Sequence, residues 1–128
     1  HGTGTTFSLE ERVQMLKDAI VDEGLVDVSV EPMEGLLVDF CNARGAGGVV
    51  KGLRAMTDFE YELQLSQTNK VMAADIDTVF LTTNLKYSYL SSSTVKEIAS
   101  YGGDIRPFVP ENVIREIHRK LGTDFITE

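Results

Sequence analysis

The sequence predicts an α/β fold in which a parallel sheet is flanked by helices. Segments with helical period alternate along the chain with short apolar segments of strand character, and this order favours parallel strands joined by right-handed helical crossovers. The 128 residues fit one domain and are too few for two. The composition agrees, because 42% hydrophobic and 25% charged residues are ordinary for a globular chain that needs no disulfide or metal to stabilise it.

Eight elements are predicted from local signals. They are, in chain order, a helix over about 8–22, a strand at 26–30, a helix at 36–43, a strand at 48–50, a helix from 57 to about 72, a strand at 78–81, a helix at 94–101 and a helix at 110–121.

The helices are indicated by caps and by apolar residues three or four positions apart. Capping boxes at Ser8–Glu11 and Thr57–Glu60 open the first and third helices. Gly45 is the expected C-cap of the second helix. Pro110 is expected in the first turn of the last helix. The apolar stripe of that helix consists of Val113, Ile114, Ile117 and Leu121.

The strands are indicated by alternation and by short apolar runs. Val26–Val30 alternates with period two, whereas Gly48–Val50 is predicted to be covered on both faces. Parallel sheets bind ligands beyond the carboxyl ends of their strands. We therefore expect functional residues just after Val30, Val50 and Leu81.

Charge and cysteine content exclude several classes of protein. Twelve Lys+Arg against 20 Asp+Glu give a net charge of −8, which argues against nonspecific binding to nucleic acid or to an anionic membrane. No apolar run approaches the roughly 20 residues of a spanning helix, and no signal peptide is apparent. The single cysteine, Cys41, cannot form an internal disulfide and fits a reducing compartment. These features predict a cytoplasmic protein.

The segment Lys51-Gly52-Leu53-Arg54 is the first candidate site. It follows a predicted strand and places two cations around a glycine, which lets the backbone approach a ligand closely. Arginine presents a planar fork that matches phosphate oxygens. The alternative is a surface turn with solvated charges, and the position at the sheet edge favours the phosphate site.

The second candidate site is the run of hydroxyl side chains at Ser91–Ser93. It precedes a predicted helix, with Lys86 before it and Lys96 one turn later. A helix N-terminus offers free N–H groups and the positive end of the helix dipole to an anion. An ordinary serine cap is the alternative, and three serines with nearby lysines favour the phosphate cradle.

Other residues are interpreted as structural. Gly45–Gly48 precedes a strand and is therefore not a dinucleotide-binding fingerprint. Cys41 is expected in the core, and His118 is expected to be solvated and to complement the helix dipole. The acidic residues near the start of the third helix, including Glu62, suit its dipole, and the histidines and cysteine lack metal-ligand spacing.

Five blocks of sequence resemble the bacterial phosphopantetheine adenylyltransferase family of nucleotidyltransferases. The blocks are Phe7–Arg12, Gly35–Phe40, Lys51–Ala55 with Asp58–Gln64, Tyr87–Ser93 with Val95–Glu97, and Gly102–Asp104 with Val109–Glu111. The resemblance implies a Rossmann-like fold. It also implies transfer of the adenylyl group of ATP to 4′-phosphopantetheine, giving dephospho-CoA and pyrophosphate with Mg²⁺, in a homohexamer.

The resemblance also implies roles for individual residues. Arg54, Ser92 and Ser93 would stabilise the transferred phosphate. Lys51 would hold the phosphate of phosphopantetheine, and Leu36 and Leu37 would line the pantetheine channel. The implied ATP contacts are Gly52, Leu53, Arg54, Glu62, Tyr87, Ser88, Tyr89, Leu90, Ser91, Ser92 and Ser93.

The sequence departs from the family pattern at its start. The family begins with a strand–helix–strand unit that carries a Thr/His-x-Gly-His motif, and residues 1–6 do not reproduce it. We interpret residues 1–6 as a tag remnant or loop, 7–121 as the C-terminal portion of the nucleotidyltransferase domain, and 122–128 as a tail. Exposed strand edges and self-association are expected in consequence.

Two other functions remain open from the sequence. The phosphate cradle without the histidine motif would also suit a noncatalytic module that binds a nucleotide or CoA. A related cytidylyl- or nicotinamide-mononucleotide-type transferase is the third possibility, and the segments at Gly52–Arg54 and Ser91–Ser93 favour the pantetheine branch.

Overall fold

The computed structural model describes residues 6–54, 56–87 and 89–123. The elements within them are, in chain order, α1 (Leu9–Asp22), α2 (Leu37–Arg44), β1 (Gly48–Leu53), α3 (Met56–Met72), β2 (Asp77–Thr82), a 3₁₀-helix (Leu85–Tyr87), α4 (Ser92–Ser100) and α5 (Glu111–Leu121). The two strands are parallel and helices accompany them, which confirms the predicted α/β class.

The described residues divide into two compact units. The sheet unit comprises residues 33–89 and holds α2, β1, α3 and β2. The helical unit comprises the described residues up to Pro32 and those from Leu90 onward, and holds α1, α4 and α5. The predicted tag remnant or loop lies outside the described residues except for Thr6, as does the predicted tail beyond Thr123.

The sheet unit is built around the parallel pair β1 and β2, which α3 connects. The register places Val50 beside Val79. Successive side chains of a strand point to opposite faces, and Leu53 is buried on the face that α3 covers. On the same face, Phe80 of β2 meets Phe59 of α3 edge to face, with ring centroids 5.9 Å apart. These contacts fix the position of α3 beside β1.

The opposite face of the sheet is exposed, so the prediction of a strand covered on both faces is wrong. Val50 is 67% exposed, and Val79 and Leu81 on the neighbouring strand are also exposed. β1 is also longer than predicted, because it continues to Leu53. A run of apolar residues indicates a strand but does not show which of its faces another element covers.

The predicted strand at Val26–Val30 is wrong as well. These residues follow α1 in an irregular conformation, and Val26 and Val28 are 89% and 50% exposed. Period-two alternation describes only how side chains would divide between two faces. A strand forms when its N–H and C=O groups pair with a neighbouring strand, and within the described residues β1 and β2 pair with each other.

The core of the helical unit lies between α4 and α5. It consists of five buried side chains, namely Val95, Ala99, Ile105, Ile114 and Ile117. The half-buried Val113 and Leu121 pack against this core, which confirms the predicted stripe of the last helix. Asn112 of α5 donates a hydrogen bond to the carbonyl oxygen of Met15 at 3.0 Å and joins α5 to α1. No helix in the described part of the chain is long and apolar enough to cross a bilayer.

The helix ends agree with most of the predicted caps. The Ser8 hydroxyl accepts from the N–H of Glu11 at 3.1 Å, and the Glu11 carboxylate accepts from the N–H of Ser8 at 2.9 Å, which confirms the first capping box. Gly45 ends α2 in the left-handed conformation, with φ 68°. Pro110 is the N-cap of α5 instead of lying in its first turn. The predicted capping box at Thr57 is wrong, because α3 already includes this residue.

Candidate functional site

Lys51 and Glu62 form a half-buried ion pair in the sheet unit. Lys51 is on β1, on the face that α3 covers, and its Nζ lies 2.5 Å from Oε2 of Glu62 on α3. The two side chains are only 22% and 24% exposed. This ion pair therefore joins β1 to the helix that packs on it, in a half-buried environment where charge–charge attraction is less screened than at the surface.

Arg54 directly follows β1 and lies near Asp58 in the first turn of α3. The Arg54 Nε and the Asp58 Oδ2 are 3.8 Å apart, and the two side chains are 46% and 41% exposed. Exposed pairs of this kind contribute about 0–1 kcal/mol to stability. The Arg54 side chain is thus partly exposed just after the carboxyl end of β1, where a parallel sheet binds its ligands.

The two carboxylates stand one turn apart on α3, so each predicted cation has an acidic neighbour. Asp58 and Glu62 are four residues apart, a spacing that puts them on one face of a helix. The sequence predicted Lys51 and Arg54 as two cations that flank a glycine, and the structure adds that each of them has a carboxylate beside it. An ammonium has three N–H donors, so Lys51 can donate to Glu62 and still donate to a phosphate.

Gly52 and Leu53 lie within β1, not in a turn after it. A Cβ on Gly52 would meet no atom within 4 Å, so the backbone there is open on one side. The Leu53 side chain is buried and its carbonyl oxygen accepts from the N–H of Thr83 at 2.9 Å. A ligand can therefore approach the main chain at Gly52, whereas the Leu53 side chain supports the sheet.

The remaining predicted residues of the sheet unit lie at the ends of its helices. Leu36 is the N-cap of α2 and is 54% exposed, whereas Leu37 begins that helix and is half-buried. Tyr87 ends the 3₁₀-helix, and the Lys86 Nζ stands 5.3 Å from the centre of its ring. Tyr89 is 92% exposed, and Ser88 lies outside the described residues.

Leu90 and the three serines belong to the helical unit. Leu90 packs against the core of that unit. Ser91 is the N-cap of α4, and its hydroxyl accepts from the N–H of Thr94 at 3.2 Å. Ser92 and Ser93 are exposed in the first turn, where backbone N–H groups have no intrahelical acceptor. The serine run thus caps the helix and also presents N–H and hydroxyl donors to solvent, so both predicted roles are compatible with its geometry.

The structure therefore groups the predicted site residues into two sets. Leu36, Leu37, Lys51–Arg54, Glu62, Tyr87 and Tyr89 lie in the sheet unit. Leu90, Ser91, Ser92 and Ser93 lie in the helical unit.

The sequence missed the partners of the two cations. The spacing of Arg54 and Asp58, four residues apart, was a usable signal for their pairing. The pairing of Lys51 with Glu62 had no local signal, because it depends on how α3 packs against β1.

Cys41 and His118, both interpreted as structural from the sequence, are buried. Cys41 is 4% exposed on α2, which confirms its place in a core. His118 is 5% exposed and its Nδ1 lies 2.6 Å from the Thr123 hydroxyl. The prediction of a solvated His118 is therefore wrong, because the side chain lies on the same buried face of α5 as Ile114.

Among the described residues, the pKa that is displaced most is that of Glu11 in the helical unit, which is not one of the predicted site residues. The pKa of Glu11 is lowered to about 2, first by the hydrogen bond from the Ser8 N–H and then by the ammonium of Lys120 at 2.9 Å. Arg119 also donates to this carboxylate at 3.1 Å. Perturbed pKa values often mark functional sites, but this network serves to fasten α1 to α5.

The described residues contain no group of three or more His, Cys, Asp or Glu side chains arranged to hold a metal ion.

Comparison with known proteins identifies the family. The profile of the Cytidylyltransferase-like family matches residues 1–98. The chain is 54% identical to the phosphopantetheine adenylyltransferase of Lachnoclostridium phytofermentans over 114 residues, which cover 89% of this chain and 69% of that protein.

Two other relatives carry the same name. The enzyme of Oleidesulfovibrio alaskensis is 50% identical over 116 residues, covering 91% of this chain and 67% of the relative. The enzyme of Clostridium novyi is 47% identical over 116 residues, which cover 91% of this chain and 71% of the relative. The parallel strands and their crossover helix agree with these identities. The chain therefore belongs to the phosphopantetheine adenylyltransferase family of the cytidylyltransferase-like nucleotidyltransferases.

Proposed function

We propose that this protein is an enzyme that transfers the adenylyl group of ATP to 4′-phosphopantetheine, giving dephospho-CoA and pyrophosphate. The observation that carries the proposal is the 54% identity to a phosphopantetheine adenylyltransferase across 89% of the chain. Identity at this level favours the pantetheine branch over the cytidylyl and nicotinamide-mononucleotide branches. The reaction is reversible and belongs to coenzyme A biosynthesis in the cytoplasm.

The reaction requires positioning and charge neutralisation more than covalent chemistry. The phosphate of phosphopantetheine attacks the α-phosphorus of ATP in line, and negative charge develops on the transferred group and on the departing pyrophosphate. Arg54 can supply a charged fork to these oxygens, because its side chain is 46% exposed just after β1. By resemblance to the family, Ser92 and Ser93 of the helical unit are also proposed as phosphate ligands, because the start of α4 presents hydroxyl and N–H donors.

The other proposed contacts are those that the family resemblance implies. For ATP these are the open backbone at Gly52, the adjoining Leu53, and Glu62 on α3, together with Tyr87 to Ser91. For phosphopantetheine, Lys51 holds the phosphate, and the apolar Leu36 and Leu37 suit the uncharged pantetheine arm.

Magnesium enters this proposal with the nucleotide. Mg²⁺ is bound in such enzymes largely by substrate phosphates and water, with few protein carboxylates. We therefore place Mg²⁺ on the phosphates of ATP as part of the substrate. A homo-oligomer, a hexamer by resemblance to the family, is the proposed assembly, with dephospho-CoA or CoA as further ligands.

The test is pyrophosphate release from ATP on addition of 4′-phosphopantetheine, with dephospho-CoA identified by mass spectrometry. We expect release that requires both substrates. The control omits phosphopantetheine and measures hydrolysis of ATP alone. Binding of both substrates without product would contradict the proposal and would identify a noncatalytic nucleotide- or CoA-binding module instead.

A further inference from the structure

We propose that Glu62 is a positioning residue for Lys51, and that through Lys51 it sets the affinity of the protein for the phosphate of phosphopantetheine. This inference rests on the proposed function. It adds to the ATP contact already proposed for Glu62 a separate role in binding the other substrate.

The first argument is the geometry of the pair. The Lys51 Nζ and Glu62 Oε2 are 2.5 Å apart, and both side chains are more than three-quarters covered. A lysine side chain is long and flexible and loses rotamer freedom when a ligand fixes its ammonium. Because Glu62 already holds the ammonium beside β1, less of that freedom remains to be lost when a phosphate arrives.

The second argument is the number of donors. The ammonium of Lys51 has three N–H groups, and Glu62 is the partner that takes one of them in this structure. The remaining donors can reach the oxygens of a phosphate monoester without breaking the pair. A ligand that needs only one charged contact at a defined point, such as a terminal phosphate, suits this arrangement.

The third argument is the contrast with the neighbouring pair. Arg54 and Asp58 are 3.8 Å apart and nearly half-exposed, so Asp58 does not confine Arg54 in the same way. The tighter and more buried pair is the one that contains the residue proposed to hold phosphopantetheine. The two carboxylates therefore differ in function although they lie on the same face of α3.

The experiment measures binding of 4′-phosphopantetheine and of ATP separately by calorimetry. The variants are Glu62→Gln and Glu62→Asp, each alone and combined with Lys51→Met. Glu60→Gln is the matched control, because it removes one charge from an exposed position on the same helix. Urea unfolding of each variant checks that the fold is retained.

We expect Glu62→Gln to weaken binding of phosphopantetheine about tenfold, the factor that corresponds to most of the rotamer freedom of one lysine side chain. Glu62→Asp should recover part of this loss, because it keeps the charge. In the Lys51→Met background Glu62→Gln should have no further effect, since the ammonium on which it acts is absent. Glu60→Gln should bind phosphopantetheine like the wild type.

Three results would overturn the inference. An unchanged affinity of Glu62→Gln for phosphopantetheine would show that Lys51 needs no positioning. An equal loss with and without Lys51 would show that Glu62 does not act through it. Wild-type protein that binds ATP but not phosphopantetheine would overturn both this inference and the proposed function, whereas the first two results leave the proposed function intact.

Discussion

Substitution of Gly103 by alanine tests how tightly the chain after α4 packs against the last turn of that helix. Gly102 has φ +76° and donates to the carbonyl of Ala99 at 3.0 Å, and Gly103 donates to the carbonyl of Ile98 at 2.9 Å. This pair of bonds is the Schellman arrangement. A Cβ on Gly103 would lie 2.5 Å from the Ile98 Cγ2 and 3.0 Å from the Ile98 carbonyl oxygen. The added methyl group therefore has no space.

Two opposing effects determine how much Gly103→Ala changes the free energy of unfolding. Overpacking of this kind costs about 1–3 kcal/mol, whereas replacing glycine by alanine restricts the unfolded chain and returns about 0.4–1 kcal/mol. The steric effect is larger here, because Ile98 is β-branched and stiff and its carbonyl is held by the hydrogen bond. We expect a net destabilisation of about 1–2 kcal/mol, which lowers Tm by roughly 3–8 °C in a chain of this size.

The assay is urea unfolding followed by circular dichroism, with Gly47→Ala as the control. A Cβ at Gly47 would meet no atom within 4 Å, so that variant should be as stable as the wild type or slightly more stable. In an Ile98→Ala background the cost of Gly103→Ala should shrink, because the closest clashing atom is gone. If Gly103→Ala and Gly47→Ala prove equally stable, the steric reasoning is refuted.

Three further predictions concern charge and packing. The depressed pKa of Glu11, about 2 against an ordinary 4.5, contributes stability that is present above pH 4.5 and is lost as the pH falls toward 2. Glu11→Gln should therefore be less stable at neutral pH and should converge with the wild type near pH 2 in acid unfolding curves. Arg54→Ala should weaken ATP binding roughly ten- to hundredfold by calorimetry without loss of fold, because the side chain is 46% exposed; unchanged affinity would contradict its role. Ile114→Ala should cost about 2–5 kcal/mol in urea unfolding, because Ile114 is 4% exposed in the core of the helical unit; a cost below about 1 kcal/mol would show that the site collapses around the gap.

Local signals predicted most helices well, and the strands less well. The capping box at Ser8 and the glycine after α2 marked helix ends that the structure confirms. The alternation at Val26–Val30 is just as regular, yet the segment is not a strand. A helix forms its hydrogen bonds within one segment, whereas a strand depends on a partner elsewhere in the chain. This difference explains why the same kind of pattern succeeded in one case and failed in the other.

In the candidate site, too, local features were predictable from the sequence, whereas contacts between distant segments were not. The sequence alone indicated the cations at Lys51 and Arg54 and the hydroxyl run at Ser91–Ser93, because their positions after strands and before helices follow from chain order. It also carried the family resemblance that the comparisons confirm. It gave no sign that Lys51 is held by Glu62, because eleven residues separate the two along the chain.

Residue types and their spacing along the chain were thus sufficient to predict the α/β class, most helix ends and the family. Only the tertiary structure decided that one face of β1 is covered by α3 and the other exposed, that His118 is buried, and that the positive charge of Lys51 is compensated. The physical reason is that burial and ion pairing depend on which surfaces of distant segments meet. Which surfaces meet is determined by packing across the whole unit and cannot be predicted from any short segment of the chain.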